Sequence, residues 1–191
     1  RICLVGSEMC IRDRIYTSGS LLEDREIPIQ FQKTVLRECH EMGKELIVES
    51  RCEQLTEEKL SWATSINPSF TVAIGLEAYD DEVLRFHVNK GFSTKSWDKA
   101  VENLRKYNLR IKTYLMFKPP FMSEKDALVH GVKWIKDVAS RSDEISVNPM
   151  NIQRGTIIDR LHRHNEYRPP WLWSLVEMIK QAHPHIHPKG G

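Results

Sequence analysis

Residues 70–93 read FTVAIGLEAYDDEVLRFHVNKGFS. Phe70–Leu76 is a β-prone run with no regular polar–apolar alternation. Strands buried on both faces read this way, and such strands belong to parallel sheets. Asp80–Phe86 follows as a short helix candidate, and Gly91–Ser93 as a loop.

The same unit recurs on both sides. Upstream, Arg14–Thr17 is a short strand candidate leading into the turn-rich Ser18-Gly19-Ser20. Ile29–Glu41 carries Phe31, Val35, Leu36 and Cys39 at helical spacing, with Gly43 as its stop signal. Glu45–Glu49 is a second strand, and Thr56 is the expected N-cap of a helix whose first turn holds Glu57 and Glu58. Downstream, Thr94 or Ser96 caps a helix through Lys106, with Trp97, Ala100, Val101 and Leu104 on one face. Arg110–Phe117 is a strand ending at Pro119-Pro120. Ser123 caps a helix to Ala139, Glu144–Val147 is a strand, and Trp171–Ala182 is the last helix. Alternation of strand and helix implies an α/β fold with a parallel sheet. Right-handed crossovers then give either an open doubly wound sheet or a barrel, and periodicity does not choose between them.

Composition narrows the function classes. The chain has 191 residues, 40% of them hydrophobic and 28% charged, which suits a soluble globular core. A net charge of +2 is too mild to argue for nucleic acid by itself. The C-terminal third leans basic through Arg154, Arg160, Arg163, Arg168, Lys180 and Lys189, read equally as a solvated face or an RNA-facing surface. No apolar run reaches the roughly 18 residues a membrane span needs. Sparse, irregular cysteines (Cys3, Cys10, Cys39 and Cys52) point to a reduced, cytoplasmic chain rather than a disulfide framework.

Leu4–Arg14, LVGSEMCIRDR, matches the translation of a transposon-end adapter used in DNA library preparation. Residues 1–14 are therefore expected to be non-native and are set apart from the fold. The core is then expected over residues 15–182, incomplete at its N-terminus, with a ragged tail at 183–191.

In parallel α/β folds the working residues lie at strand C-termini and in the loops beyond. Those positions hold Thr17, Ser18, Gly19 and Ser20, then Glu49, Ser50 and Arg51, then Glu77, then Lys118-Pro119-Pro120, and finally Asn148 and Asn151. Each has a plain alternative: a turn at 18–20, a local ion pair at Glu49 and Arg51, a helix cap at Glu77, strand termination at Asn148. The set weighs more than any member because all fall on one expected rim. His183, His185 and His187 alternate along the chain, and on extended backbone such imidazoles face one way and can bind metal, as a metal-dependent barrel hydrolase would require. A non-catalytic RNA-binding module built on Arg160, Arg163 and Arg168 is a further reading. Walker A, GxGxxG, GxSxG and CxxC patterns are absent from the sequence.

Phe70–Ser93 resembles the radical S-adenosylmethionine (SAM) segment of tRNA methylthiotransferases and of the elongator catalytic subunit. Leu46–Glu53, LIVESRCE, is similar to their "ExRP" strand end, with Cys52 in place of the proline. Trp97–Ser123 is similar to the stretch that follows, although Lys118-Pro119-Pro120 departs from the usual small residues around a glycine. The archaeosine-biosynthesis radical SAM family is a closer match. Ile15–Pro28 (IYTSGSLLEDREIP), Ser146–Thr156 (SVNPMNIQRGT) and Tyr167–Glu177 (YRPPWLWSLVE) resemble it in particular.

The resemblance implies a partial (β/α)6 radical SAM barrel. It implies a [4Fe–4S] cluster whose ligands lie upstream of this chain, because neither Cys39 nor Cys52 has the needed spacing. Cys39 reads instead as a buried small hydrophobe on its helix. It implies cleavage of cluster-bound SAM to a 5′-deoxyadenosyl radical, and then C–N scission in a lysine-modified 7-cyano-7-deazaguanine of tRNA. The implied partners are tRNA and a lysine-transferring archaeosine synthase subunit, with no membrane. Without the cluster, this stretch alone is expected to be inactive. By the same resemblance, Thr17, Ser18, Gly19 and Ser20 receive the SAM amino group. Glu49 accepts from the ribose or the amino group, Arg51 pairs with the SAM carboxylate, Asn148 and Asn151 approach the adenine, and Glu77 contacts SAM or substrate. A tRNA methylthiotransferase or elongator-type enzyme is the alternative within the superfamily.

Overall fold

In the computed structural model, the described residues are 12–15, as backbone, and 20–186. Thr17, Ser18 and Gly19, and His187 with the rest of the tail, lie outside them. The strands are β1 (Arg12–Ile15), β2 (Glu45–Glu49), β3 (Thr71–Glu77), β4 (Arg110–Phe117) and β5 (Glu144–Pro149). The α-helices are α1 (Ile29–Glu41), α2 (Glu57–Ile66), α3 (Thr94–Lys106), α4 (Glu124–Ala139), α5 (Ile157–Arg163) and α6 (Leu172–Ala182). The sheet order is β1-β2-β3-β4-β5. The β1–β2, β2–β3 and β4–β5 pairs are parallel, in registers such as Ile47 to Thr71 and Lys112 to Glu144. An order that never reverses is that of a partial (β/α) barrel; a doubly wound sheet reverses at its switch point. That settles the choice periodicity left open.

The chain forms two compact units, residues 1–74 with 100–111, and residues 75–99 with 112–191. In the first, β2 buries Leu46, Ile47 and Val48 together, as a strand covered on both faces must. Helix α1 ends where Gly43 takes φ +63°, a left-handed conformation that glycine adopts at little cost. Asn67 donates to the Leu36 carbonyl at 3.2 Å, satisfying a buried acceptor of α1 from the end of α2. Thr56 caps α2 by accepting from the Lys59 N–H at 3.3 Å.

In the second unit, Ser123 caps α4, accepting from the Asp126 N–H at 3.1 Å. Helix α4 buries Ala127, Gly131, Trp134, Ile135 and Val138. At Gly131 a Cβ would stand 2.3 Å from the Met178 sulfur of α6, so the glycine allows α6 to lie close. Arg141 ion-pairs with Asp98 and stacks over the Tyr79 and Trp97 rings at 4.9 and 4.7 Å. Strand β5 is only half-buried, unlike the other strands whose side chains are described.

Several local expectations are corrected. Residues 83–88 form a π-helix, with Asp80 accepting from the Glu82 and Val83 N–H groups at 3.0 and 3.1 Å. Helix α3 already contains Thr94 and Ser96, so neither caps it; the Thr94 N–H donates to Asp81 at 2.7 Å. Residues 157–163, which carry Arg160 and Arg163 of the basic C-terminal third, form α5, capped by Thr156. Cys39 is half-buried rather than buried. His183–His185 form a 3-10 turn. With three residues per turn, imidazoles two apart diverge, so the extended geometry required for a His183–His185 metal pair is lost. Among the described residues no group of three His, Cys, Asp or Glu side chains stands close enough to hold a metal. No helix among them is long and apolar enough to cross a membrane.

Candidate functional site

Each unit carries part of the expected rim. In the first, β2 ends at Glu49, whose carbonyl accepts from the Leu21 N–H at 3.0 Å. That bond fixes the segment after β1 against the β2 end. Ser20 is fully buried there, its hydroxyl 2.8 Å from that of Ser50. The Ser20 N–H donates to Glu26 Oε2 at 2.9 Å, and Arg51 donates to Glu26 Oε1 at 2.6 Å. Arg51 also stands 3.6 Å from Glu23 and 3.9 Å from Glu53. The first unit thus brings Ser20, the Glu49 backbone and Arg51 into one polar cluster.

Arg51 meets carboxylates of its own chain, which its sequence position did not announce. Glu23 Oε2 is buried and has no hydrogen-bond partner among the described residues. The Arg51 guanidinium stands 3.6 Å from that same oxygen, so its charge is met by an ion pair although no hydrogen bond reaches it.

The second unit holds Glu77, Asn148 and Asn151. Glu77 sits at the end of β3 with φ +71° and accepts from Lys90 Nζ at 2.9 Å. A Cβ at Gly75 would come within 3.1 Å of both partners, so the glycine makes room for the pair. Glu77 is therefore an ion-pair member rather than a helix cap.

Asn148 and Asn151 line a cleft of about 390 Å³ at the ends of β4 and β5. Met116, Pro120, Met150 and His87 form apolar and aromatic wall, and Gln153 adds a third amide. No carboxylate among the described residues lines it. Apolar walls with a few amides suit a flat nitrogen heterocycle, whose faces are apolar and whose edges exchange hydrogen bonds. His87, Gln153 and Thr156 were not anticipated. The first comes from the π-helix and the others from the approach to α5, two elements without a strong periodic signature.

A second cavity, of about 510 Å³, surrounds Lys118 and Glu124. Lys118 is buried, lies 2.9 Å from Glu124 Oε2, and donates to the Arg168 carbonyl at 2.9 Å. Its ammonium is 5.2 Å from the Tyr167 ring, and the Tyr167 hydroxyl donates to the Lys118 carbonyl at 2.9 Å. Burial opposes ionisation of Glu124, yet hydrogen bonds from Lys118, the Trp171 N–H and Ser174 outweigh it and hold its carboxyl below the usual range. Burial, reinforced by the Glu124 charge, pushes the Tyr167 phenol up to about 12.

The chain is similar to archaeosine synthase subunit beta. It is 38% identical over 180 residues to that protein from Methanosarcina acetivorans, covering 91% of this chain and 52% of the relative. Against the protein of the same name from Thermococcus kodakarensis it is 37% identical over 178 residues, covering 91% and 55%. The chain thus spans about half the length of the curated relatives it matches. No family model matches it. Among solved structures, the fold resembles Elp3 from Methanocaldococcus infernus with a TM-score of 0.61 at 20% identity, over 72% of this chain and 32% of that one. It also resembles TsrM from Kitasatospora setae, a radical S-adenosylmethionine methyltransferase, with a TM-score of 0.51 at 14% identity, over 71% and 26%. At such identities these structures show the fold, and the fold is the α/β partial barrel implied by the sequence.

Proposed function

We propose that this chain is the SAM-binding core of a tRNA-modifying radical SAM enzyme. In this reading the longer protein forms archaeosine in tRNA by C–N cleavage of a lysine-modified 7-deazaguanine, beside a lysine-transferring subunit. The observation that carries the reading is the 38% identity over 91% of the chain to archaeosine synthase subunit beta. The structure offers support of a different kind. The Asn148–Asn151 cleft of the second unit suits adenine, with apolar walls and amides at its edge. The roles of Thr17, Ser18, Gly19, Glu49 and Glu77 belong to the same proposal. SAM bound to an iron–sulfur cluster supplies the radical chemistry of such enzymes. The described residues contain no donor set that fits a cluster.

This chain's own part is to bind and orient. Asn148 and Asn151 hold the heterocycle by its edge, and Met116 and Met150 exclude water from its faces. Calorimetry with S-adenosylhomocysteine, which needs no cluster chemistry to be stable, tests this. Saturable binding that weakens at least about fivefold in Asn148→Ala is expected, since losing a buried hydrogen bond costs about 1–3 kcal/mol. No binding at millimolar ligand, or equal binding by the variant, would defeat the SAM-core reading.

A further inference from the structure

The rim of the Asn148–Asn151 cleft carries aromatic side chains that core packing does not explain. Phe121 is 58% exposed and takes φ +63°, a conformation rare for a bulky side chain. Its ring meets His87 edge-on, with centroids 6.1 Å apart and planes at 74°. The His87 Nδ1–H donates to the Pro120 carbonyl at 2.6 Å, which leaves Nε2 as the acceptor of the neutral ring. His87 and Pro120 both line the cleft, so Phe121 stands beside its wall. The π-helix that presents His87 also carries Phe86, 63% exposed, with the Arg85 guanidinium 5.0 Å from its ring. π-Helices are rare and concentrate at functional sites.

Strained or unusual backbone here displays rings to solvent instead of burying them. Arg85 and Arg154 are exposed on the segments that form the cleft and can meet phosphate, Glu82 is exposed at the head of the π-helix, and no carboxylate among the described residues lines the cleft itself. Exposed aromatic faces beside arginines are the means by which proteins hold single-stranded nucleic acid, because every base offers a π-face.

We propose that Phe121 and His87 form a stacking lip that receives a nucleobase of single-stranded RNA at the mouth of this cleft. The inference rests on the tRNA-modifying reading and adds where the base is held. Phe121 provides the face, and His87 Nε2 accepts from an N–H on the base edge.

The test uses this chain with a short single-stranded RNA bearing a fluorescent purine analogue whose emission drops on stacking. S-Adenosylhomocysteine binding is measured in parallel. Phe121→Gly removes the ring and suits the left-handed backbone, so it keeps the fold; unchanged circular dichroism checks this. It is expected to weaken RNA binding about tenfold, within the range of base–aromatic stacking, and to abolish the quench while leaving S-adenosylhomocysteine affinity unchanged. Phe121→Trp is expected to retain both binding and quench. Wild-type RNA affinity in Phe121→Gly overturns the lip and leaves the tRNA reading standing. Loss of S-adenosylhomocysteine binding with RNA binding intact overturns it too, by assigning Phe121 to the cofactor's adenine. No RNA binding by the wild-type chain removes the lip together with the tRNA reading.

Discussion

Replacing Lys118 with methionine tests whether the buried Lys118–Glu124 pair holds the C-terminal segment in place. The side chains are 5% and 18% exposed and 2.9 Å apart. Lys118→Met deletes the cation, takes a donor from the Arg168 carbonyl and leaves Glu124 facing Tyr167. Breaking a buried pair from one side costs about 3–5 kcal/mol. Glu124 keeps the Trp171 N–H at 2.9 Å, and Arg168 lies 4.0 Å away, able to approach. The loss therefore belongs at the low end, about 3 kcal/mol, and lowers Tm by roughly 6–12 °C for a chain of this size. Glu124→Gln leaves the less exposed member, Lys118, as an unneutralised cation, so it is expected to cost at least as much. The double variant removes both charges and is expected to lose less than the sum of the two singles by at least about 1.5 kcal/mol. Urea denaturation followed by tryptophan fluorescence reads all four corners of the cycle. A Lys118→Met loss under about 0.5 kcal/mol, or strictly additive singles, would refute the reasoning.

Two further outcomes follow from the same unit. The Tyr167 phenol is raised to about 12, so its neutral form is favoured in the fold. That contribution is full below the unfolded pKa near 10 and is lost as pH rises through about 12. Stability should fall across this alkaline window in the wild type and fall less in Tyr167→Phe, as pH-jump denaturation curves would read; parallel curves would exclude the assignment. Gly131→Ala gains about 1 kcal/mol of helix propensity, but its Cβ meets the Met178 sulfur at 2.3 Å. A net loss of about 1–2 kcal/mol is expected, with Gly131→Ala/Met178→Ala losing less than the sum of the singles in urea; additivity would mean α6 does not rest on Gly131.

The elements legible in the sequence are those with a strong local signal. Helix α1, strand β2, strand β4 and helix α4 fall at their expected bounds, because helical spacing, Gly43, Pro119-Pro120 and the Ser123 cap each mark an edge. Helix α5 was legible in principle. Thr156 and Asp159 form a reciprocal cap, with Thr156 accepting from the Asp159 N–H at 3.3 Å and Asp159 accepting from the Gly155 N–H at 2.9 Å. The π-helix had no such signal, since its geometry is not a period that side-chain pattern reports. At the rim, strand-end position pointed to Ser20 and Arg51, which meet in one polar cluster, and to Asn148 and Asn151, which line one cleft. It did not reveal that Arg51 would meet Glu23 and Glu26, which are distant in sequence from it and near only after β2 has formed.

The segment Lys118-Pro119-Pro120-Phe121 follows β4 and carries two strained residues at its ends. Lys118 and Phe121 both adopt left-handed backbone, at φ +60° and +63°. Each conformation costs roughly 1–2 kcal/mol for a residue with a Cβ. At Lys118 the cost is offset by contacts with Glu124, the Arg168 carbonyl and the Tyr167 ring. At Phe121 the ring is mostly in solvent, and an edge contact with His87 worth about 0.5–1.5 kcal/mol is the main return. Glycine at 121 should therefore leave stability unchanged or raise it, whereas glycine at 118 should lower it by about the loss expected of Lys118→Met, less the strain relieved.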